Sequence, residues 1–450
     1  TGTITVGAGG VAIYAENGSN ITNLGTLKLG SDAIGIMADG TSTITATNVT
    51  LESNTGTDTD GKTAVYYKGS TSGTDDKSIS LNIDAESFDK GTAIYAENMN
   101  LASSGALKVG TSGVGIFVKG TVANTGKNTG SIELGTKEGA VGMYTKTAGI
   151  ANTGTIEVRD SSQIGMYAEG NNNSGVNAGI INLNVDGSTG IYVKSGAAAE
   201  LGAGNNIVFG GGASVGVFAE NAKVNFGSNL TFTNDNANKN IYVYGKDSTI
   251  EITSGKTVTV DGKTTGAPGD KTVGIYLENA GTASIFNGTA GQLAVIKEAV
   301  GIYSKGNNTL NVDVTATGDK TTGVFIDGAS TISGTVTAKG TSSAGAVGVY
   351  GNNAKIDFEV NVTGEGAIGV AAGENSAISK NIKTGSGSIG VYLLDDTVTF
   401  NGANITTGTN NLGTSVGILF DAGITGAYTM NNASVNAKNG VGIYLGGAGM

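Results

Sequence analysis

The chain has 450 residues, of which 77 are glycine, and it contains no cysteine, histidine or tryptophan. Its 26 basic and 37 acidic residues give a formal net charge of −11, which argues against a surface for nucleic acid or for an anionic membrane. Without histidine and cysteine, the chain excludes Ser-His-Asp and Cys-His nucleophile systems and ordinary zinc sites.

A three-residue motif recurs along the chain: a small residue, a branched aliphatic residue and an aromatic residue. Its small residues are Ala12, Gly35, Ala64, Ala93, Gly115, Gly142, Gly165, Gly190, Gly216, Gly274, Gly301, Gly323, Gly348, Gly369, Gly390, Gly417 and Gly442. We interpret Asn240-Ile241-Tyr242 as an eighteenth copy. Seventeen intervals cover the 430 residues from Ala12 to Gly442, about 25 residues each. This period is typical of one solenoid turn, whose apolar face is buried only against its neighbours.

Each motif predicts a β-strand, because apolar side chains alternate within it. In residues 273–277 (Val-Gly-Ile-Tyr-Leu) the first, third and fifth residues are apolar, which is a period of two. We therefore predict that the residues on both sides of the small residue face the core. The residues after it are predicted to form one interior aliphatic column, which includes Ile275, Ile302, Val349, Val391 and Ile443.

A second strand signal, Asn-x-Gly-x-aliphatic-x-aliphatic, appears at residues 23–29, 128–134, 152–158 and 177–183. Its asparagine lies 12 to 14 residues before the next motif glycine, so the two signals share one phase. Each coil is thus predicted to carry at least two short strands, with corners of Gly, Asn, Ser and Thr. The predicted fold is an all-β, right-handed parallel β-helix of about 18 coils that forms a single domain over residues 1–450.

Departures from the period predict loop insertions near residues 50–62, 69–90 and 245–272, the last of which contains the chain's one proline, Pro268. Because inserted loops vary at little cost to a strand ladder, they are better candidates for binding than the repeat itself. We predict a binding site at Tyr66, Tyr67, Lys68, Asp75 and Asp76. Alternation places Tyr66 in the aromatic column, whereas Tyr67 falls at a core position and must find room there or shift the register.

Two motif matches in the first insertion are interpreted as corner loop. Residues 56–63 match the phosphate-loop pattern, but Thr63 enters a strand instead of a helix and two aspartates would repel phosphate. The same segment resembles a calcium loop, but Tyr67 stands where a bidentate glutamate is required. We therefore expect no metal and no cofactor.

The carboxylates and the aromatic residues leave two alternatives open. Asp75-Asp76 and Asp395-Asp396 are the obvious carboxylate pairs, but adjacent strand residues point to opposite faces, so no catalytic residue is expected. The aromatic residue lies on the face opposite the aliphatic core. The rings either form an outward ladder that binds sugars by their flat faces, or they stabilise the stack of coils.

The paired signals Asn-x-Gly-x-Ile-x-Leu and Gly-Ile-Tyr resemble the passenger repeats of large type V autotransporter adhesins, especially those of fusobacteria. The resemblance covers essentially the whole chain. It implies a fragment of an extracellular stalk that is anchored to the outer membrane through a C-terminal barrel in the full-length protein. Its partners would be a receptor or glycan on host cells, or the surface of partner bacteria. The alternative is a β-helix carbohydrate lyase or hydrolase, which a cluster of carboxylates on one face over successive coils would favour.

Overall fold

The computed structural model describes residues 2–54, 61–70, 72, 75–121, 123–171, 174–233, 239–262, 272–279, 285–341, 345–408, 415–424, 430–438 and 440–446. Within these ranges the chain forms short parallel β-strands and no helix, so no helix there could cross a membrane. Two compact units are present, Thr1–Val224 and Asn225–Met450. The predicted class, an all-β parallel solenoid, is confirmed.

Three parallel sheets run through the first unit, since each coil contributes one strand before the motif, one at the motif and one after it. We call these the leading, motif and trailing sheets. The leading strands are Thr3–Val6, Thr26–Leu29, Asn48–Ser53, Asn82–Ala85, Ala106–Val109, Ser131–Leu134, Thr155–Val158, Ile180–Leu183 and Asn206–Phe209. The motif strands are Val11–Ala15, Ile34–Asp39, Thr63–Lys68, Thr92–Glu97, Val114–Lys119, Val141–Thr145, Ile164–Glu169, Thr189–Lys194 and Val215–Glu220. The trailing strands are Asn20–Ile21, Thr43–Ile44, Asp75–Ile79, Met99–Ser103, Thr125–Asn128, Gly149–Asn152, Ser174–Asn177 and Ala198–Leu201, and the next strand along the chain is Lys223–Phe226.

The second unit repeats this plan, with some trailing and leading strands fused. Its motif strands are Ile241–Lys246, Thr272–Glu278, Ala299–Lys305, Thr322–Asp327, Val347–Asn352, Ile368–Ala372, Ile389–Leu393, Val416–Phe420 and Val441–Leu445. Its other strands are Leu230–Thr233, Thr249–Ile252, Thr257–Asp261, Ile285–Ile296, Thr309–Thr317, Thr331–Ser333, Thr335–Lys339, Lys355–Ile356, Glu359–Thr363, Ala377–Ile378, Ile382–Thr384, Thr399–Asn401, Asn404–Thr407, Met430–Asn431 and Ser434–Ala437.

The small residue of the motif faces the core, where the next coil approaches closely. A Cβ atom on Gly165 would lie 2.6 Å from the carbonyl oxygen of Gly190 and 3.0 Å from a methyl group of Ile181. Met166 is also buried, but Ile164 is only half-buried. The prediction that both neighbours of the small residue are core is therefore wrong for the residue before it in most coils, because the small residue itself takes the inward place, although Val300 and Thr322 are buried.

The predicted aliphatic column is confirmed over most of its length. Ile275, Ile302, Val349 and Val391 are fully buried. They lie in one register, as in the pairing of Ile275 with Ile302. Ile443 pairs with Ile418 but is 47% exposed, because the described residues place no strand on its other side. Its predicted burial is wrong for that reason.

The eighteenth motif copy is offset by two residues from its predicted position. Val243 pairs with Ile275 and Tyr244 pairs with Tyr276, so Tyr242 occupies the place of the small residue. Tyr242 is buried and stacks on Phe232 with ring centroids 4.4 Å apart. Gly245 takes the core place that Leu277 fills in the next coil.

The predicted second strand is confirmed at the aliphatic end of its signal, as at Ser131–Leu134, while the Asn-x-Gly end forms the corner before that strand. Asn128, Asn152 and Asn177 end successive trailing strands and are fully buried. Asn128 Nδ2 donates to Asn152 Oδ1 at 2.8 Å, and Asn152 Nδ2 donates to Asn177 Oδ1 at 2.9 Å. Because the buried amides satisfy one another from coil to coil, the corner can turn inside the solenoid.

Parts of the predicted insertions are regular sheet. The range 50–62 includes part of Asn48–Ser53, and its residues 55–60 lie outside the described residues. The range 69–90 contains the strands Asp75–Ile79 and Asn82–Ala85. The range 245–272 contains Thr249–Ile252 and Thr257–Asp261, while residues 263–271, with Pro268, lie outside the described residues.

Candidate functional site

One coil of the first unit pairs incompletely with its neighbours in both the leading and the trailing sheet. In the leading sheet, Asn48–Ser53 pairs with Thr26–Leu29 at four positions but with Asn82–Ala85 at only two. In the trailing sheet, Asp75–Ile79 pairs with Met99–Ser103, and Thr43–Ile44 pairs with Asn20–Ile21. The described residues show no ladder that joins Thr43–Ile44 to Asp75–Ile79. We call residues 48–80 the enlarged coil.

A cavity of about 250 Å³ lies at the interruption of the trailing sheet, and we call it the Lys68 cavity. Three successive coils line it with Tyr14, Met37, Ala38, Asp39, Gly40, Thr41, Lys68, Gly69, Ser70 and Asp75. It brings together Lys68 and Asp75 of the predicted site. Gly40 leaves room for the Asp75 carboxylate, because a Cβ atom on residue 40 would lie 2.7 Å from Asp75 Oδ2 and displace it.

Hydrogen bonds keep the two carboxylates of the Lys68 cavity ionised. Burial alone would raise the pKa of Asp39, but bonds from Ser42, the Asn17 amide and Thr41 hold that pKa far below its usual range. The Ser70 amide donates to Asp75 and lowers the pKa of its carboxyl. Both side chains are therefore hydrogen-bond acceptors at neutral pH and are poor proton donors.

The two predicted tyrosines lie on opposite sides of their strand. Tyr66 is half-buried in the aromatic column, 4.9 Å from the ring of Tyr95, and its hydroxyl donates to Glu97. Tyr67 is fully buried, and burial raises its pKa to about 12. It finds room in the core because its register partners are Ala38 and Ala96. Its burial removes Tyr67 from the surface predicted to bind.

Asp76 faces away from the Lys68 cavity. It is exposed, accepts a hydrogen bond from Asn100 Nδ2 at 2.8 Å, and lines a separate groove of about 350 Å³ with Lys77 and Lys127. In the other predicted pair, Asp395 accepts hydrogen bonds from the amide and hydroxyl of Thr397, which lower its pKa. Asp75 and Asp76 therefore line different cavities.

The aromatic column is arranged as a structural stack. In the first unit the neighbouring ring centroids of Tyr66, Tyr95, Phe117, Tyr144, Tyr167, Tyr192 and Phe218 are 4.8 to 5.1 Å apart. In the second unit those of Tyr244, Tyr276, Tyr303, Phe325 and Tyr350 are 4.7 to 4.9 Å apart. At this spacing each ring covers the neighbouring ring, which leaves little open face for a sugar. The geometry favours stabilisation of the coils.

A larger cavity of about 680 Å³, which the sequence did not predict, lies where the leading sheet diverges. Its polar lining includes Thr50, Asp84, Glu86 and Lys137. Asp84 lies 3.4 Å from Lys108 Nζ in an ion pair. The sequence signal that could have found it is Glu86, an acidic residue at a corner position where the following coils have glycine, as at Gly110 and Gly135.

The described residues give no support to a phosphate or metal site. Residues 56–60 of the phosphate-loop match lie outside the described residues. Lys62 is fully buried, with its Nζ 5.3 Å from the ring centroid of Phe88, and Thr63 begins a strand as predicted. Within the described ranges, no group of three or more acidic residues is placed to hold a metal ion.

Comparison with known families matches the N-terminal part of the chain. Residues 1–204 match the family model of the BigA third pectate lyase-like domain, a β-helix domain of a bacterial surface protein. The matched range contains the enlarged coil and the Lys68 cavity. Neither a curated protein nor a solved structure matches the chain significantly. The N-terminal part of this chain is thus similar to a bacterial surface-protein β-helix domain.

Proposed function

We propose that this chain is a non-catalytic, adhesive part of a bacterial cell-surface protein and attaches to a receptor or glycan on host cells or partner bacteria. The observation that carries the proposal is the contrast between stacked coils and one enlarged coil that opens cavities. A solenoid holds such a surface on a rigid support. The similarity of residues 1–204 to a surface-protein domain supports the location at the cell surface.

We propose further that the full-length protein is a type V autotransporter anchored in the outer membrane. This part rests on the motif resemblance, in which the signals Asn-x-Gly-x-Ile-x-Leu and Gly-Ile-Tyr recur together. The lack of cysteine is consistent with it, since disulfides formed in an oxidising periplasm would obstruct export of an unfolded passenger.

A carbohydrate lyase or hydrolase is the second candidate, and the description of the matched family favours it. Against it stand the ionised, hydrogen-bonded states of Asp39 and Asp75, which suit neither a general acid nor a base with a pKa near neutrality.

Beads coated with the whole chain test the proposal. Such beads should adhere to cultured host cells or to partner bacteria more than beads coated with albumin, and the chain should release no reducing ends from surface polysaccharides. Adhesion at the albumin level would refute the adhesive role. If the chain releases reducing ends steadily and this activity is lost in Asp84→Asn or Glu86→Gln, the enzymatic function would replace the adhesive one.

A further inference from the structure

The leading sheet is split between two of its strands in the middle of the first unit. Asn48–Ser53 pairs with Thr26–Leu29 at four positions, but its ladder with Asn82–Ala85 covers only two. Further leading strands follow on both sides, Thr3–Val6 before the split and Ala106–Val109 after it. The split is therefore a feature of the enlarged coil and not of an end of the sequence.

The split leaves main-chain groups of Leu51 and Ser53 without a strand partner. The Asn82 amide donates to the Thr47 carbonyl oxygen at 2.8 Å, so the Thr47 carbonyl faces the next coil. Main-chain groups point to alternate sides along a strand, so those of Val49, Leu51 and Ser53 face the same way. The ladder ends at Val49, and no described strand pairs with the other two residues on this side. Such an unpaired edge is a template for another extended chain.

The larger cavity lies directly beside this edge. Val49, Thr50 and Leu51 line it on one side, and the corner glycines Gly110 and Gly135 line it on the other. Its volume of about 680 Å³ falls within the roughly 300–1,000 Å³ of ligand pockets. The cavity therefore has room for a short extended segment against the open edge.

The corner residue after the leading strand differs in chemistry between the enlarged coil's neighbour and later coils. Arg159 follows its leading strand and donates to Glu133 of the coil before, and Asn184 Nδ2 donates to Glu157 Oε2 at 2.8 Å in the same way. Glu86 holds the same corner position but is itself an acceptor. Among the described residues, none donates a hydrogen bond to its carboxylate.

Glu86 brings a fixed negative charge into the larger cavity. Its Cγ and Oε1 atoms lie 3.7 Å from the place that a Cβ atom on Gly135 would take, so the carboxylate lies along the glycine corner. The other acidic side chain of the lining, Asp84, is paired with Lys108 at 3.4 Å. Lys137 also lines the cavity, but its ammonium group lies on a long flexible stem that can turn to a carbonyl oxygen. The fixed carboxylate and the net charge of −11 favour a ligand with a basic group.

We infer that an extended peptide segment of a partner protein binds in the larger cavity as an added strand. Its main chain pairs with Leu51 and Ser53, and one lysine or arginine of the peptide lies against Glu86. The inference rests on the proposed adhesive function and specifies a protein as the partner. A glycan does not carry the alternating N–H and C=O groups that a strand edge pairs with, so the open edge favours a peptide.

Saturation-transfer NMR on the whole chain tests the inference with capped hexapeptides of alternating threonine and valine. One lysine replaces each of the six positions in turn, and a second set carries glutamate instead. We expect at least one lysine peptide to bind with a Kd on the order of 1 mM or tighter. Its glutamate counterpart, and its analogue with N-methyl groups on alternate amides, should bind at least about tenfold more weakly.

Glu86→Gln should weaken binding of the best lysine peptide at least about tenfold, because it removes the charge but keeps the shape. Glu365→Gln provides the matched control. Glu365 is also exposed, and its Cγ atom lies 3.5 Å from the place of a Cβ atom on Gly387. The strand before it, Glu359–Thr363, is paired on both sides. This control should therefore bind the peptides like the wild type.

Hydrogen exchange gives a second readout, since the amides of Leu51 and Ser53 should exchange more slowly with the best peptide bound. Binding of no lysine peptide, equal binding by folded Glu86→Gln, or unchanged exchange at both amides would each overturn the inference. If bead adhesion persists in these cases and is abolished by periodate treatment of the cells but not by trypsin, the partner is a glycan and the adhesive function stands. Peptide binding without bead adhesion would leave the peptide site and remove the adhesive function.

Discussion

Single side chains in this solenoid are stabilised mainly by side chains one coil away. Tyr66, Glu97 and Lys119 lie on three successive motif strands. The Tyr66 hydroxyl donates to Glu97, and Lys119 Nζ lies 3.1 Å from Glu97 Oε1. The bond from Tyr66 is the main cause of a lowered pKa at Glu97, although burial opposes it. A tyrosine that sequence reasoning assigned to binding is thus part of a network that holds coils together.

Because of this network, the thermal stability of the chain should fall at acidic pH, and Tyr66→Phe should make that fall smaller. Since the folded state lowers the pKa of Glu97 below its ordinary value of 4.5, the stabilisation is complete above that value and is lost as the pH falls through the lowered pKa. Thermal unfolding by circular dichroism between pH 3 and 7 should show a weaker acid-side fall of Tm in Tyr66→Phe than in wild type.

Tyr303→Phe serves as the control for this measurement, because Tyr303 belongs to the aromatic column and its pKa is raised by burial with no hydrogen bond among the causes. Its acid-side profile should follow that of the wild type. Identical profiles for Tyr66→Phe and wild type would show that the hydroxyl does not act on Glu97.

Asn152 provides a second test at the scale of one residue. It bonds to Asn128 on one side and to Asn177 on the other, and all three are fully buried. Asn152→Ala leaves a buried donor and a buried acceptor without their partner, which should cost about 1–3 kcal/mol of unfolding free energy. Urea unfolding of Asn152→Ala and of the exposed-surface variant Asn206→Ala should show this loss only in the first. Equal midpoints would contradict the role of the ladder.

At the scale of the element, the coil is the unit that the sequence specifies best. Its period, its strands and its aliphatic column could be predicted because each depends on a pattern repeated many times. Ile302 shows this, since it is fully buried in register between Ile275 and Val324. Events that occur once were predicted poorly, as at Tyr242, where a large residue in the small-residue place shifts the apparent motif by two positions.

The aliphatic column allows the same substitution, Ile→Ala, to be compared at a buried and at an exposed position. Ile302→Ala should cost roughly 2–5 kcal/mol, because it removes methyl groups from a fully packed position. Ile443→Ala in the same column should cost much less, since Ile443 is 47% exposed. Urea unfolding measures the loss of unfolding free energy in both variants. Equal losses in the two variants would show that burial in the column does not determine the stabilisation.

The candidate site was predictable in part, for a reason that lies in the enlarged coil. Lys68 and Asp75 line one cavity, where a longer interval disturbs the strand ladder, and their role in binding stays a prediction. Tyr67 was predicted at a core position that needs room, and its register partners Ala38 and Ala96 supply that room, so its side chain is not available on the surface. Asp75–Ile79 forms a strand instead of a loop, so the site is best tested by point substitutions rather than by deletion.

At the scale of the whole molecule, each of the two units consists of stacked coils that support one another. The family match covers residues 1–204, within the first unit, and the enlarged coil lies there as well. A net charge of −11 disfavours attachment through anionic surfaces, so specific contacts have to supply the affinity. Local departures from the repeat are the places where such contacts are available.

The most direct test of this account is the adhesion of beads coated with site variants of the whole chain. A variant that combines Lys68→Ala with Asp75→Asn should lose most of its adhesion to host or partner cells, because both side chains line the Lys68 cavity. A variant that combines Asp395→Asn with Asp396→Asn should adhere like the wild type, since these residues lie in a turn of the second unit. Equal adhesion by both folded variants would contradict the assignment of binding to the enlarged coil.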